Sequence, residues 1–477
     1  MSAVLQERPA LRAGRTPTVV RLLVLATFVV ILNETLMINA IPRLMASFDV
    51  SEQAAQWVST AFMLTTAAVI PITGWFLQRV TTRQAYASAM GVFLAGTALA
   101  AVAPSFAVLL LGRIVQAGGT AVMLPLLMTT LMTVVPEQDR GRVMGTVTMA
   151  ISVAPALGPA VSGLVLQLGS WRLLFVAVLP IAGLVTVFGL RRVPNIGEPR
   201  VSSIDWLSVA VAAFGFGGLV YGLSLFGGSS APVGLGVGIV IAGAVLIVAF
   251  VVRQLRLQRS GVPLMDLRTL THRTYTLALA LMTIAFLAMM GAMILLPLYL
   301  QNLRGLSPLE TGLLVMPGGL AMGLLGPTAG RVFDRFGTRP LVLPGSIGLV
   351  LALAGLTFVS TTMPYWQILG LHVLLMLSLA ALFTPVFTVG MGALPPPLYS
   401  HGSSMLGTFQ QVASAFGIAL MVTVLSARTS HLVAAGVATV PAQISGTRLA
   451  FGVCAASALV MIVLAVVLPR RVPVADA

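Results

Sequence analysis

Apolar residues come in runs of about 20 along this chain, the length a helix needs to cross bilayer hydrocarbon. Fourteen such runs begin near Leu22, Gln56, Gln84, Phe106, Val143, Leu173, Ile204, Val233, Thr276, Thr311, Leu341, Trp366, Ser404 and Leu449. Each predicts a helix, because a segment in lipid must pair its own backbone polar groups. The 47 glycines and 28 prolines fit this reading, since membrane helices tolerate both and use small residues for close packing.

The polar positions between the runs fix more. Every basic residue is arginine, and 27 of them punctuate the spans. With the amino terminus inside and the spans alternating, 21 arginines fall on the inner side and 5 on the outer side, and Arg113 lies within a span. That bias sets the orientation, with both termini cytoplasmic. The two longer inner connections, 191–203 and 253–273, bracket the spans at 204–226 and 233–252. These two spans look inserted between six-helix halves. The expected division is therefore 1–193, 194–265 and 266–477. Residues 427–447 are expected to form the longest outer loop, either on the membrane interface or packed on the outer surface.

Composition agrees with a membrane protein. Hydrophobic residues make up 58% and charged residues 8%, against about 25% charged in a soluble protein. The net charge of +15 does not indicate nucleic acid, because the arginines are spread between spans. The lone Cys454 excludes a disulfide within the chain and reads as packing. No cleavable signal peptide is expected, since the first basic stretch leads into a full-length span.

Two landmarks recur. Pro42, expected to end the first span, and Pro297 lie 255 residues apart, and Gly74 and Gly330 lie 256 apart. Such a repeat suits a secondary transporter with its site near midplane between the halves. Alternating access is then expected rather than a channel.

Chemistry at depth is sparse. Glu34 sits inside the first span, where a carboxylate costs roughly 2.5–3.5 kcal/mol and usually faces a wet cavity or the protein interior. Arg113 sits at a similar depth in the fourth span and is the expected partner. Desolvation favours the neutral acid and a nearby guanidinium favours the carboxylate. A change in that balance would let Glu34 take up and release a proton. His372 in the twelfth span reads as a hydrogen-bonded core histidine. Asp205 and Glu310 open spans seven and ten, where acids usually meet the helix dipole. Asn33, Met37, Trp57, Met63, Met123, Phe286, Tyr299, Phe383, Phe387, Phe409 and Gln410 are candidate cavity walls, since methionine and aromatic surfaces suit varied apolar ligands. A membrane-embedded enzyme is rejected, because its reactive groups would be scattered over three spans. No G-x-x-x-x-G-K-[ST] loop is present to bind a nucleotide, and no cofactor is expected.

Four motifs carry a resemblance. The loop GRVFDRFGTR, with Gly330, Asp334, Arg335, Gly337 and Arg339, resembles the signature loop of the major facilitator superfamily. Its Asp334 can pair with an arginine or with a helix amino terminus, and the loop is expected to act as an inner latch. The first copy, GWFLQRVTTR, carries Gln78 in place of the aspartate and so lacks the ion-pair version. SVAPALGPAVSG, with Gly158, Pro159 and Gly163, resembles the antiporter motif of that superfamily, and LLLGRIVQAGGTA resembles its fourth-span motif. LNETLMINAIP resembles the first-span motif of the 14-span drug:proton antiporters, with Asn33 at the aspartate position and Glu34 displaced by one residue. That displacement is about 100° around a helix.

The resemblance runs over nearly the whole chain and fits the lincomycin-resistance-type subgroup best. It implies an all-α fold of two six-helix halves plus two extra helices. It also implies a proton-coupled exporter of amphipathic, often cationic compounds, working in the cell membrane as a single chain. The implied partners are small-molecule substrates, protons and lipid. An exporter of a lipid or native metabolite in the same fold is the alternative.

Overall fold

Fourteen helices among the described residues are long and apolar enough to span a membrane, and no strand occurs with them. The computed structural model describes residues 16–196, 205–227, 232–260 and 263–471, apart from the side chains of 38, 39, 52, 53, 159, 160, 260 and 308. Arg8, Arg12, Arg15 and Arg200 lie outside the described residues, as do the side chains of Asn39 and Pro159.

The first six spans are α1 (Thr18–Leu36), α3 (Glu52–Arg79), α4 (Thr82–Ala101), α5 (Phe106–Val134), α6 (Arg140–Gln167) and α7 (Arg172–Arg192), with the short α2 (Ile41–Phe48) after α1. Then come α8 (Trp206–Ser224) and α9 (Val233–Ser260). The last six are α10 (Arg273–Asn302), α11 (Pro308–Phe336), α12 (Arg339–Leu356), α13 (Tyr365–Gly392), α14 (Tyr399–Ala434) and α15 (Thr439–Val467). They start between 255 (Thr18 to Arg273) and 267 (Arg172 to Thr439) residues after the matching helices of the first six.

Local chemistry starts these helices where polar residues can satisfy the free N–H groups. Ser51 caps α3 and Ser105 caps α5. Reciprocal capping boxes open α4 through Thr81 and Gln84, and α11 through Ser307 and Glu310.

Two expectations are corrected. Residues 427–447 do not form a long loop. The Ala- and Val-rich sequence stays helical to Ala434 and resumes at Thr439, and Gly436 makes the break with φ at 87°. Nor does Pro42 end the first span. The α-helix stops at Leu36, a 3-10 turn covers Met37–Ala40, and Pro42 falls in the first turn of α2, where a missing N–H costs little.

Within the first six, α1 packs on α5, α6 and α7, and α4 packs on α5 and α7. Within the last six, α10 packs on α13, α14 and α15, and α12 packs on α13 and α15. Two seams join the sets: α6 lies on α11 and α3 lies on α14. The pair α8–α9 sits beside the second seam, with α8 touching both α3 and α14. Asp205, at the start of α8, accepts two hydrogen bonds from Arg253 of α9 at 2.7 and 2.8 Å. Those bonds hold its carboxyl down at about 2. Apolar side chains such as Phe188, Phe214 and Val463 stay exposed on the bundle, as expected where lipid is the solvent.

Candidate functional site

A buried polar cluster occupies the first six helices. Arg113 on α5 is fully buried. Its Nη1 donates to Gln116 Oε1 at 2.6 Å and to Asn33 Oδ1 at 3.4 Å, and its Nε donates to the Val58 carbonyl at 3.3 Å. The guanidinium also stands 4.2 Å from the centre of the Phe62 ring. Gln116 passes the hydrogen bonding on to Thr97 Oγ1 at 2.7 Å. Every one of these partners is neutral. A buried cation without an adjacent anion is costly, and Glu34 is the acid within electrostatic range.

Glu34 does not form the expected direct pair. Among the described residues, neither a salt bridge nor a hydrogen bond joins it to Arg113. Asn33 takes that place, because a one-residue step turns the acid by about 100° away from the guanidinium. Glu34 is half-buried.

The backbone beyond Glu34 is braced by α6. Ser162 Oγ donates to the Leu36 carbonyl at 2.7 Å, where α1 gives way to the 3-10 turn. A Cβ on Gly158 would strike Thr35 Oγ1. Gly158 therefore lets α6 approach α1 beside Glu34, whereas Gly163 meets open space and plays no part in that contact.

The other face of α6 meets α11 at the arginine-rich end of the bundle. Asp334 Oδ1 accepts from the Gly141 N–H at 2.8 Å, and Oδ2 accepts from the Arg142 N–H at 2.7 Å. The carboxylate thus caps the amino terminus of a helix in the other half, a favourable place for negative charge. Gly141 faces Gly330, and Gly145 faces Gly326 so closely that a Cβ on any of the four would hit opposing backbone or the Asp334 carboxylate. Among the described residues, neither a hydrogen bond nor an ion pair carries Arg335 or Arg339 across the seam. The Arg335 guanidinium lies 5.1 Å from the Phe336 ring, and its carbonyl accepts from Arg471. Gly337, with φ at 81°, turns the chain beneath Arg470. At the second seam, Gln78 Nε2 donates to the Pro397 carbonyl at 2.9 Å, just before α14, and Ser404 Oγ donates to the Ile70 carbonyl at 2.6 Å.

The candidate wall residues separate. Trp57 is 39% exposed and packs against Tyr221 of α8 at 5.5 Å, on the side of the inserted helix. Tyr299 donates to the Ser360 carbonyl at 2.6 Å and receives a bond from Arg304, a structural role near the end of α10. Phe286 and Phe383 stack at 4.8 Å with an interplanar angle of 8°. Met37, Met123 and Phe387 are buried, Met63 and Gln410 are half-buried, and Phe409 is exposed. His372 is buried on α13 against α11, with Nε2 at 3.1 Å from the Val315 carbonyl. The link from Ser162 to α1 and the Gly141/Gly145–Gly326/Gly330 contact were not anticipated. The second carried a readable signal, since both pairs have the G-x-x-x-G spacing of closely crossing helices.

Comparisons with known proteins agree with this architecture. The model of the family described as Major Facilitator Superfamily matches residues 23–418. The uncharacterized MFS-type transporter YcnB of Bacillus subtilis is 38% identical over 475 residues, covering 98% of each chain. The lincomycin resistance protein LmrB of Listeria monocytogenes is 38% identical over 403 residues, 84% of this chain and 85% of that one. A multidrug resistance protein B homolog of Mycobacterium tuberculosis is 29% identical over 86% of this chain and 76% of its own. The solved human organic anion transporter MFSD10 superposes with a TM-score of 0.68 at 18% identity, over 94% of this chain and all of that one, which speaks for the fold alone.

Proposed function

This integral membrane protein belongs to the major facilitator superfamily, a transporter family, and we propose that it is a proton-coupled exporter of amphipathic, often cationic compounds. Its relatives named for lincomycin and multidrug resistance support efflux as the direction. The observation that carries the proton reading is Glu34: a half-buried acid at span depth that makes no direct bond to Arg113, where Asn33 bonds instead.

Asn33, Gln116 and the Val58 carbonyl hold the guanidinium in place, so Glu34 is free to exchange a proton. With Glu34 ionised, the cluster is neutral overall and attracts a cationic substrate. With Glu34 protonated, the net positive charge of Arg113 remains and repels it. The two occupants therefore exclude one another, which is the basis of exchange. Helix α6 is the mechanical link in this proposal, because it touches α1 through Gly158 and Ser162 and is capped by Asp334 of α11 at the N–H groups of Gly141 and Arg142.

Glu34→Gln is expected to abolish pH-gradient-driven efflux from proteoliposomes while keeping binding of neutral substrates. Asn33→Asp should return an acid to the arginine and reduce substrate-induced proton release. Wild-type proton release from Glu34→Gln would place the proton elsewhere.

The arginine-rich end is the cytoplasmic end in this reading, and both termini lie there. Asn195→Cys in a Cys454→Ala background should resist an impermeant thiol reagent in intact cells; labelling there without permeabilisation would reverse the orientation. We also propose that 1–193 and 266–477 move as halves around the inserted 194–265. Co-expression of 1–265 with 266–477 tests that division, and failure to restore any efflux from two stably inserted pieces would count against it.

A further inference from the structure

Helices α1 and α6 touch at Thr35–Gly158 and Leu36–Ser162, then separate toward the arginine-rich end. The separation leaves a groove of about 320 Å³, lined chiefly by Arg21, Val24, Leu25 and Phe28 of α1 and by Met149 and Val153 of α6. It opens sideways. Leu25 is 46% exposed, and the groove side of α6 continues at three- and four-residue steps to Val161 and Leu164, which are 37% and 69% exposed on the bundle surface. On its far side this wall borders the other half, where Met149 and Val153 lie against Gly323 of α11.

Among the described residues, the groove has one charged group, at its mouth. Arg21 is exposed and its Nε donates to the Thr16 carbonyl at 3.1 Å. Among the described residues, its terminal nitrogens have no partner in the protein. A cation at the end of a spanning helix, above an apolar trough about two helical turns long, complements a phosphate joined to a hydrocarbon chain. We infer that this groove binds an anionic phospholipid of the leaflet at the arginine-rich end, with the phosphate on Arg21 and one acyl chain between α1 and α6. Filling it supplies the dispersion contacts that a trough between separated helices lacks. The site is distinct from the Glu34–Arg113 cluster and does not depend on the transport reading.

The test uses the full chain in vesicles of phosphatidylglycerol and phosphatidylcholine. A fluorophore is attached at Leu25→Cys in the Cys454→Ala background, and bromine is placed on the acyl chains of one lipid or the other. Phosphatidylglycerol should be preferred over phosphatidylcholine by about fivefold in quenching at position 25. The preference should be absent at Val463→Cys on the exposed face of α15 and should be lost in Arg21→Gln. Equal quenching by both lipids at position 25 would overturn the inference. So would a preference that survives Arg21→Gln, or no quenching by either lipid, which would mean that another segment fills the groove. Met149→Cys gives the same readout from the other wall if Leu25→Cys does not insert.

Discussion

The two seams that close the arginine-rich end use different chemistry at equivalent places in the repeat. At α6/α11 a carboxylate, Asp334, caps the amino terminus of α6 through two N–H groups, and four glycines bring the backbones together. At α3/α14 the equivalent residue is Gln78, which makes a single neutral bond to the Pro397 carbonyl. Charge-assisted bonds are worth roughly 1.5–3 kcal/mol and neutral ones about 0.5–1.5. The seam with the weaker latch carries an apolar cover nearer mid-span, roughly 16 Å along α3 from Gln78. Val220 and Leu223 of α8 pack against Ala67 of α3 and Ala415 and Ala419 of α14. Along the seam whose motif lost its charge, an inserted helix adds apolar contact farther up the bundle. The seam that kept the charge has no such cover among the described residues, and close glycine packing does the equivalent work there.

This difference can be broken one seam at a time. The largest effect is expected from Gly145→Leu, whose side chain must enter the backbone of Gly326. Overpacking of about 1–3 kcal/mol, roughly five- to 150-fold in the closed population, should leave the end open. Transport should fall by a similar factor while insertion persists, read by thiol accessibility of a cysteine at the seam. Wild-type transport would mean that this seam need not close.

Asp334→Asn against Gln78→Ala sharpens the contrast. Losing the charge of the double cap should slow transport about tenfold, and losing the single neutral bond about two- to threefold. Substrate binding should stay within a few-fold in both. Equal effects would show that charge does not distinguish the seams.

The smallest effect concerns the cover. Asp205→Asn weakens the α8–α9 ion pair and should lower Tm by a small margin at neutral pH. The Asp205 carboxyl is depressed from 3.8 to about 2 by its bonds to Arg253. Its contribution is thus complete above the unfolded value and is lost as pH falls through the folded one. The difference in Tm from wild type should shrink between pH 3.8 and pH 2. A constant difference across that range would assign it to packing.

The sequence by itself determined the number of spans, most of their starts and the repeat. These follow from the length and composition of each run and from the positions of its caps, which are local properties. It also marked Glu34, Arg113 and Asp334, since a charge in or beside an apolar run stands out in one dimension. Partner choice was decided only in the tertiary structure. Asn33 rather than Glu34 meets Arg113 because about 100° of helix rotation separates adjacent residues, and only the packing of α1 on α5 fixes which one faces inward. Trp57 and Tyr299 resembled cavity walls by residue type, yet Tyr221 and the Ser360 carbonyl claim them. The reach of α14 to Ala434 was hidden because Ala- and Val-rich sequence suits a loop on the surface as well as a helix end, until α15 packs against it. The groove beside Arg21 is a property of two helices that touch at one end and part at the other, and no single stretch of sequence contains it.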